Sequence, residues 1–132
     1  MKTKNIQQVV SIRASPHEVF EALMDSRKHS SFTSGKAKIS RRKGGKFSVF
    51  DGWVEGKNIE VVPDKRIVQY WRGSDWPKGH YSKVTFSFRR MKNALTRLTF
   101  TQVGVPESEY KDISKGWKEF YWKPMKSMLD RR

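Results

Sequence analysis

The feature that most constrains this chain lies near its C-terminus. From Ser114 to Leu129 the residues read as a helix, and at about 100° per residue Ile113, Trp117, Phe120, Tyr121, Pro124 and Met128 share one face. Lys111, Lys115, Lys118 and Lys126 share the opposite one. A helix this aromatic on one side needs a large apolar surface to cover, because each buried aromatic contributes about 2–3 kcal/mol. Nearly all of residues 36–105 read as strands and supply that surface. A curved sheet cannot cover its own concave face, so the helix is its natural lid. The combination predicts an α+β fold with room for a cavity between helix and sheet.

Local signals place the other elements. Ile6, Gln8, Val10 and Ile12 alternate as a strand, with Val9 breaking the rule. Ser15-Pro16-His17-Glu18 then forms a capping box with proline at the first helical position. The helix it starts pairs Val19 with Leu23 and Phe20 with Met24, and Asp25 to Phe32 reads as a short second helix. Gly44-Gly45 and Asp51-Gly52 are turn signals bracketing a strand from Lys46 to Phe50. Strands follow over Trp53 to Val62, with Gly56 as a candidate bulge, and over Arg66 to Arg72 after a turn at Pro63-Asp64. Residues Gly73 to Gly79 form a loop containing Trp76-Pro77.

The clearest alternation sets Ser82, Val84, Phe86 and Phe88 against Lys83, Thr85, Ser87 and Arg89. A turn near Lys92-Asn93 returns the chain into a matching strand, with Leu98 and Phe100 inward. Pro106 ends that strand, and Ser108 or Asp112 starts the last helix. Short turns between successive strands predict a mostly antiparallel sheet of about six or seven strands. The 132 residues show no linker, repeat or low-complexity stretch and read as a single domain over 1–132.

Composition narrows the partners. Lys and Arg total 28 against 13 Asp and Glu, giving a net charge of +15. Such a surface attracts anionic partners in general and identifies none of them. The absence of cysteine excludes disulfides, thiol catalysis and cysteine metal sites. There is no apolar signal core in Met1 to Gln8 and no apolar run near the ~20 residues that span a bilayer, so the expectation is a cytoplasmic protein.

Gly44-Gly45-Lys46-Phe47, Asp51-Gly52, and Val62-Pro63-Asp64-Lys65 running into Ile67-Val68 occur in an order that resembles a known family. So do Trp71-Arg72, Trp76-Pro77 followed by Gly79-His80, and Gly116-Trp117 with the aromatics at 120 to 122. The chain is similar to the activator of heat-shock-protein-90 ATPase homologue family, C-terminal-domain type, within the Bet v 1-like (START-like, SRPBCC) superfamily. The resemblance implies a helix-grip fold, in which the curved sheet wraps a long C-terminal helix and one or two short helices follow the first strand. It implies a binding module with a hydrophobic small molecule, a heat-shock-protein-90-type chaperone, or both as partner. Two departures stand out. Eukaryotic members carry a second domain for which 132 residues leave no room, and this chain is unusually basic. Pro124 also sits where it should kink or end the last helix.

The chemistry has competing readings. Phe47, Trp53, Trp71, Trp76, Val84, Phe86, Leu98, Phe100, Trp117, Phe120 and Tyr121 are candidates to line a cavity, or to fill it as core. His80 is in phase with Ser82 and Val84, so it is either the polar handle of that cavity or a histidine satisfied by a strand-end carbonyl. The first option leaves open a small-molecule enzyme of the superfamily's cyclase-like branch. His17 and His29 have no metal spacing with His80, and the serine-nucleophile and phosphate-loop patterns are missing, so no cofactor is expected.

Arg41, Arg42, Lys43, Lys118 and Lys126 are candidates for a partner surface, with Trp122 among the lysines as its anchor. The alternative for Trp122 is rotation into the sheet edge by the Pro124 kink. Arg89, Arg90 and Lys92 form a further basic cluster, and Arg131-Arg132 end the chain. No nucleic-acid recognition motif accompanies these charges, so nonspecific binding of nucleic acid stands as a minor alternative. The expected state is a monomer.

Overall fold

The computed structural model describes residues 1–130, and the Arg131-Arg132 pair lies outside them. Strand β1 (Thr3–Ile12) leads into helices α1 (Pro16–Met24) and α2 (Ser26–Thr33). Six strands follow: β2 (Lys38–Ile39), β3 (Lys46–Val49), β4 (Val54–Val62), β5 (Arg66–Gly73), β6 (Ser82–Arg90) and β7 (Thr96–Pro106). They form one seven-stranded antiparallel sheet in the order β1-β7-β6-β5-β4-β3-β2. The last strand returns to pair with the first, so β1 and the two-residue β2 are the free edges. After a short turn at Glu107–Glu109 the chain runs helically to Asp130 across the concave face. This is the helix-grip arrangement. No helix among the described residues is long and apolar enough to cross a membrane.

The capping signals are realised as read. The Glu18 backbone N–H donates to Ser15 Oγ at 3.1 Å, and the Ser15 N–H donates to Glu18 Oε1 at 2.9 Å. Asp25 caps α2 through the Lys28 N–H at 2.9 Å. Alternation in β6 and β7 holds as well: Val84, Leu98 and Phe100 are fully buried, and Ser82, Phe86 and Phe88 are buried beside them.

The bulge in β4 is not at Gly56. The β4–β5 register slips between Asn58 and Glu60, so Ile59 is the extra residue. Gly56 keeps regular pairing opposite Phe47 and Trp71, and its role is space. A Cβ there would stand 1.9 Å from the Tyr70 carbonyl oxygen and 2.4 Å from the Phe47 ring. Phe47 lies across the strand because this residue has no side chain.

The C-terminal helix holds the largest departure from expectation. It comprises α3 (Tyr110–Gly116), one wide π turn (Trp117–Trp122) and α4 (Lys123–Asp130). The Lys123 N–H donates to the Lys118 carbonyl, five residues back. Pro124 does not stop the helix, and beyond it Met125 and Leu129 stay buried. It has no N–H to donate, and its ring would clash with the carbonyl four residues back in a regular helix, so the widened turn just before it accommodates both. The inserted residue shifts the phase of everything beyond it by about 100°. Ile113, Trp117, Tyr121, Trp122, Met125 and Leu129 are therefore buried. Pro124 and Met128 are only half-buried, and Phe120 is 52% exposed. The predicted stripe thus holds at Ile113, Trp117 and Tyr121 and fails at Phe120, Pro124 and Met128.

Candidate functional site

Where the helix crosses the sheet, the interface has a packed end and an open end. At the packed end the Trp117 ring centroid lies 4.3 Å from Phe100 and 5.6 Å from Trp122, onto which it stacks with planes 21° apart. Both indole N–H groups are satisfied by glutamines of the sheet. Trp117 Nε1 donates to Gln102 Oε1 at 2.7 Å, and Trp122 Nε1 donates to Gln8 Oε1 at 2.6 Å. Gln102 is itself fully buried and donates through Nε2 to Ser82 Oγ at 2.9 Å.

At the open end a cavity of about 260 Å³ separates α3 and the π turn from the sheet. Its walls are Trp53 and Trp71 of the sheet side, Phe50 of the preceding turn, and Ile113, Trp117, Phe120 and Tyr121 of the helix. Asp75, Glu109 and Asp112 complete the lining. Phe50 reaches its place through unusual backbone. It and Asp51 both have positive φ, 53° and 57°, as the two central residues of a turn closed by the Gly52 N–H donating to the Val49 carbonyl at 3.2 Å. For a bulky residue this costs on the order of 1 kcal/mol or more. The turn is held by Asp51, whose Oδ1 accepts from the Lys36 N–H at 3.0 Å while its own N–H donates to the Lys36 carbonyl at 3.1 Å. Gly35 leaves room behind it, since a Cβ there would lie 3.0 Å from Phe50 Cα.

Tyr121 connects the cavity to a buried histidine. His29 Nδ1 lies 3.0 Å from the Leu23 carbonyl and Nε2 lies 2.9 Å from the Tyr121 hydroxyl. A carbonyl only accepts, so Nδ1 carries the proton and Nε2 accepts from the phenol. Burial lowers the His29 pKa to about 4 and raises that of Tyr121. The pair is neutral and locked, which makes it a structural tie between α2 and the helix. On the acidic side of the cavity, burial raises the Glu109 pKa, with the nearby Asp75 and Asp112 raising it further.

The chain's relatives agree with this architecture. Residues 13–130 match the model of a family described as "Activator of Hsp90 ATPase homolog 1-like protein". The chain belongs to that family. It is 34% identical over 85% of its length to the human "Activator of 90 kDa heat shock protein ATPase homolog 1", and 31% identical over 98% to the Dictyostelium discoideum homologue of the same description. It spans about a third of the length of these curated relatives, 33% and 32% respectively. A solved Plasmodium falciparum structure described as an HSP90 activator superposes with a TM-score of 0.89 at 25% identity, covering 96% of both chains. That structure, of nearly the same length as this chain, shares its fold.

Among the residues singled out from sequence, the cavity gathers Trp53, Trp71, Trp117, Phe120 and Tyr121. Phe47 and Phe86 border a void of about 10 Å³, Phe47 also reaches the groove beside Lys46 and Lys57, and Val84, Leu98 and Phe100 are fully buried in the filled core. Trp76 is buried against Trp71, 5.5 Å between ring centroids, and lies outside the cavity lining. His80 is not at the cavity either: Nε2 meets the Gly104 carbonyl at 2.7 Å, and the ring lies beside Trp76. That is the strand-end carbonyl alternative. Trp122, expected on the partner surface, is buried at 4% exposure because the π turn rotates it under the helix. Arg41, Arg42, Lys43, Lys118 and Lys126 are exposed, with Arg41 paired to Glu21. Phe50, Asp75, Glu109 and Asp112 escaped the sequence reading. Their one available signal was three acids flanking the aromatic segments of a strongly basic chain.

Proposed function

We propose that this chain is a binding module, a single helix-grip domain that holds an apolar small molecule between its C-terminal helix and its sheet. The observation that carries this reading is the cavity of about 260 Å³, walled by aromatic side chains in an interface otherwise closely packed, with a void of only about 10 Å³ beside it. It lies between the roughly 150 Å³ hole that takes benzene and the roughly 300–1,000 Å³ sites of drug-sized ligands. The strained Phe50 turn supports the same reading, because backbone strain concentrates at sites that need a side chain in a fixed place. An amide NMR titration with a panel of lipids, sterols and flavonoids tests it. Shifts should gather at Trp53, Trp71, Trp117 and Tyr121 and spare Val84 and Leu98. A panel that leaves all of these unmoved rejects the cavity as a site.

A second reading has its own support in the family's chaperone-activator members. Here the chain, a cytoplasmic monomer, docks on an acidic surface of a heat-shock-protein-90-type chaperone. Arg42, Lys43, Lys118 and Lys126 steer the encounter, each exposed pair adding little net energy. Charge reversal at Arg42 and Lys43 should slow association with the purified chaperone and flatten its salt dependence. Equal association rates for wild type and variant would remove this surface from consideration.

A further inference from the structure

Resting on the cavity reading above, we propose that the site selects a small organic cation: an apolar body carrying an ammonium or quaternary ammonium group. The argument starts from charge placement. The chain has 28 Lys and Arg and a net charge of +15, yet among the described residues no basic side chain lines this cavity. The larger groove on the outer face of the sheet is lined by Lys38, Lys46 and Lys57. The three charged residues at the cavity are all acids: Asp75, Glu109 and Asp112.

These acids come from two separate parts of the chain. Glu109 and Asp112 stand at the start of α3, where the helix dipole favours negative charge. That accounts for two of them and leaves Asp75, which the β5–β6 loop brings to the same cavity. Among the described residues none of the three takes part in an ion pair, although Lys115 close by pairs with Glu119. Only Glu109 is partly buried, and burial, the charges of Asp75 and Asp112 and a side-chain hydrogen bond with Asp75 all favour its protonated form. A cation placed among the three acids relieves their mutual repulsion.

The walls have the matching chemistry. Trp53, Trp71 and Trp117 present indole rings, the aromatic faces that attract cations best, and Phe50 and Phe120 close the rim 6.3 Å apart. An aromatic box with carboxylates at its mouth suits a cation whose hydration shell is weak, so a quaternary or aryl-alkyl ammonium fits better than a metal ion. Neutral sterols would gain the apolar contact and nothing from the carboxylates, and an anionic ligand such as a fatty acid would be repelled.

The test uses the full chain and an isosteric pair of probes, benzyltrimethylammonium and neutral neopentylbenzene, followed by tryptophan fluorescence and amide NMR. Wild type should bind the cation at least about tenfold more tightly than the neutral isostere. Asp75→Asn with Asp112→Asn should bring the two affinities to within about twofold while leaving neopentylbenzene binding in place. Retained neutral binding shows that the variant is folded. Glu109→Gln, assayed alone, provides the same comparison if the double variant does not fold. Equal or tighter wild-type binding of the neutral probe would overturn the cation preference and leave the cavity reading standing. Binding of neither probe would overturn both.

Discussion

The two ends of the helix–sheet interface share one helix and one sheet and yet differ in kind. At the packed end, Phe100, Trp117 and Trp122 stack without gaps, and every indole N–H meets a glutamine oxygen. At the open end, Phe50, Trp53 and Phe120 line a cavity, and the polar side chains that line it with them are carboxylates in place of carboxamides. Burying an indole leaves its N–H needing a partner, and an uncharged glutamine meets that need at less desolvation cost than an acid. An acid tolerates the rim only because water still reaches it. The aromatic residues of this helix therefore divide into those that stabilise the fold and those that shape an opening. Polarity of the neighbours separates the two groups better than aromatic content does.

The sharpest way to break that division is to truncate one residue at each end. Phe100→Ala, at the packed end, should cost about 3–5 kcal/mol in urea unfolding, because a fully buried ring leaves a cavity in a rigid surround. A loss below about 1 kcal/mol would mean that the packed end relaxes as freely as the open one. Acid tests the tie between them. His29 titrates at 6.5 when free and at about 4 in the fold, so the folded chain binds fewer protons in that interval. Its contribution is complete above pH 6.5 and should be lost as pH falls towards 4, by roughly 3 kcal/mol. Stability measured against pH should lose this segment of slope in His29→Gln.

Two smaller effects sharpen the contrast. Gln102→Leu leaves the Trp117 N–H buried without its acceptor and should cost about 1–3 kcal/mol, while the cavity keeps its shape and its ligand affinity. Phe120→Ala at the open end should change stability by less than about 1 kcal/mol, since the ring is half exposed, yet weaken any cavity ligand several-fold. If Phe120→Ala destabilises the fold as much as Gln102→Leu does, the rim belongs to the core and the comparison fails.

Much of this architecture was legible in the residues, for reasons that are local. The capping box at Ser15 and Glu18, the alternation through Ser82 to Phe88, and the turn at Asp51-Gly52 each depend on neighbours within a few positions. Seven antiparallel strands and a closing helix follow from their order. The site was legible in part. Trp53, Trp71, Trp117 and Tyr121 were singled out and meet at the cavity, whereas His80 was singled out and meets the Gly104 carbonyl. A histidine's phase along a strand says which side it leaves from, and not which acceptor waits there.

By itself, then, the chain's order of residues determined the elements, their alternation and the aromatic helix that must cover a sheet. Tertiary structure decided the rest. One wide turn before Pro124 shifts the helix phase, exposing Phe120 and burying Trp122, and no periodicity taken at a constant angle can include that step. Whether aromatics fill a space or line it depends on the difference between the volume a curved sheet encloses and the summed volume of many side chains, a small remainder of large quantities. The meeting of Asp75 with Glu109 and Asp112 across 34 to 37 positions exists only once β5, β6 and β7 have paired and carried the two segments together.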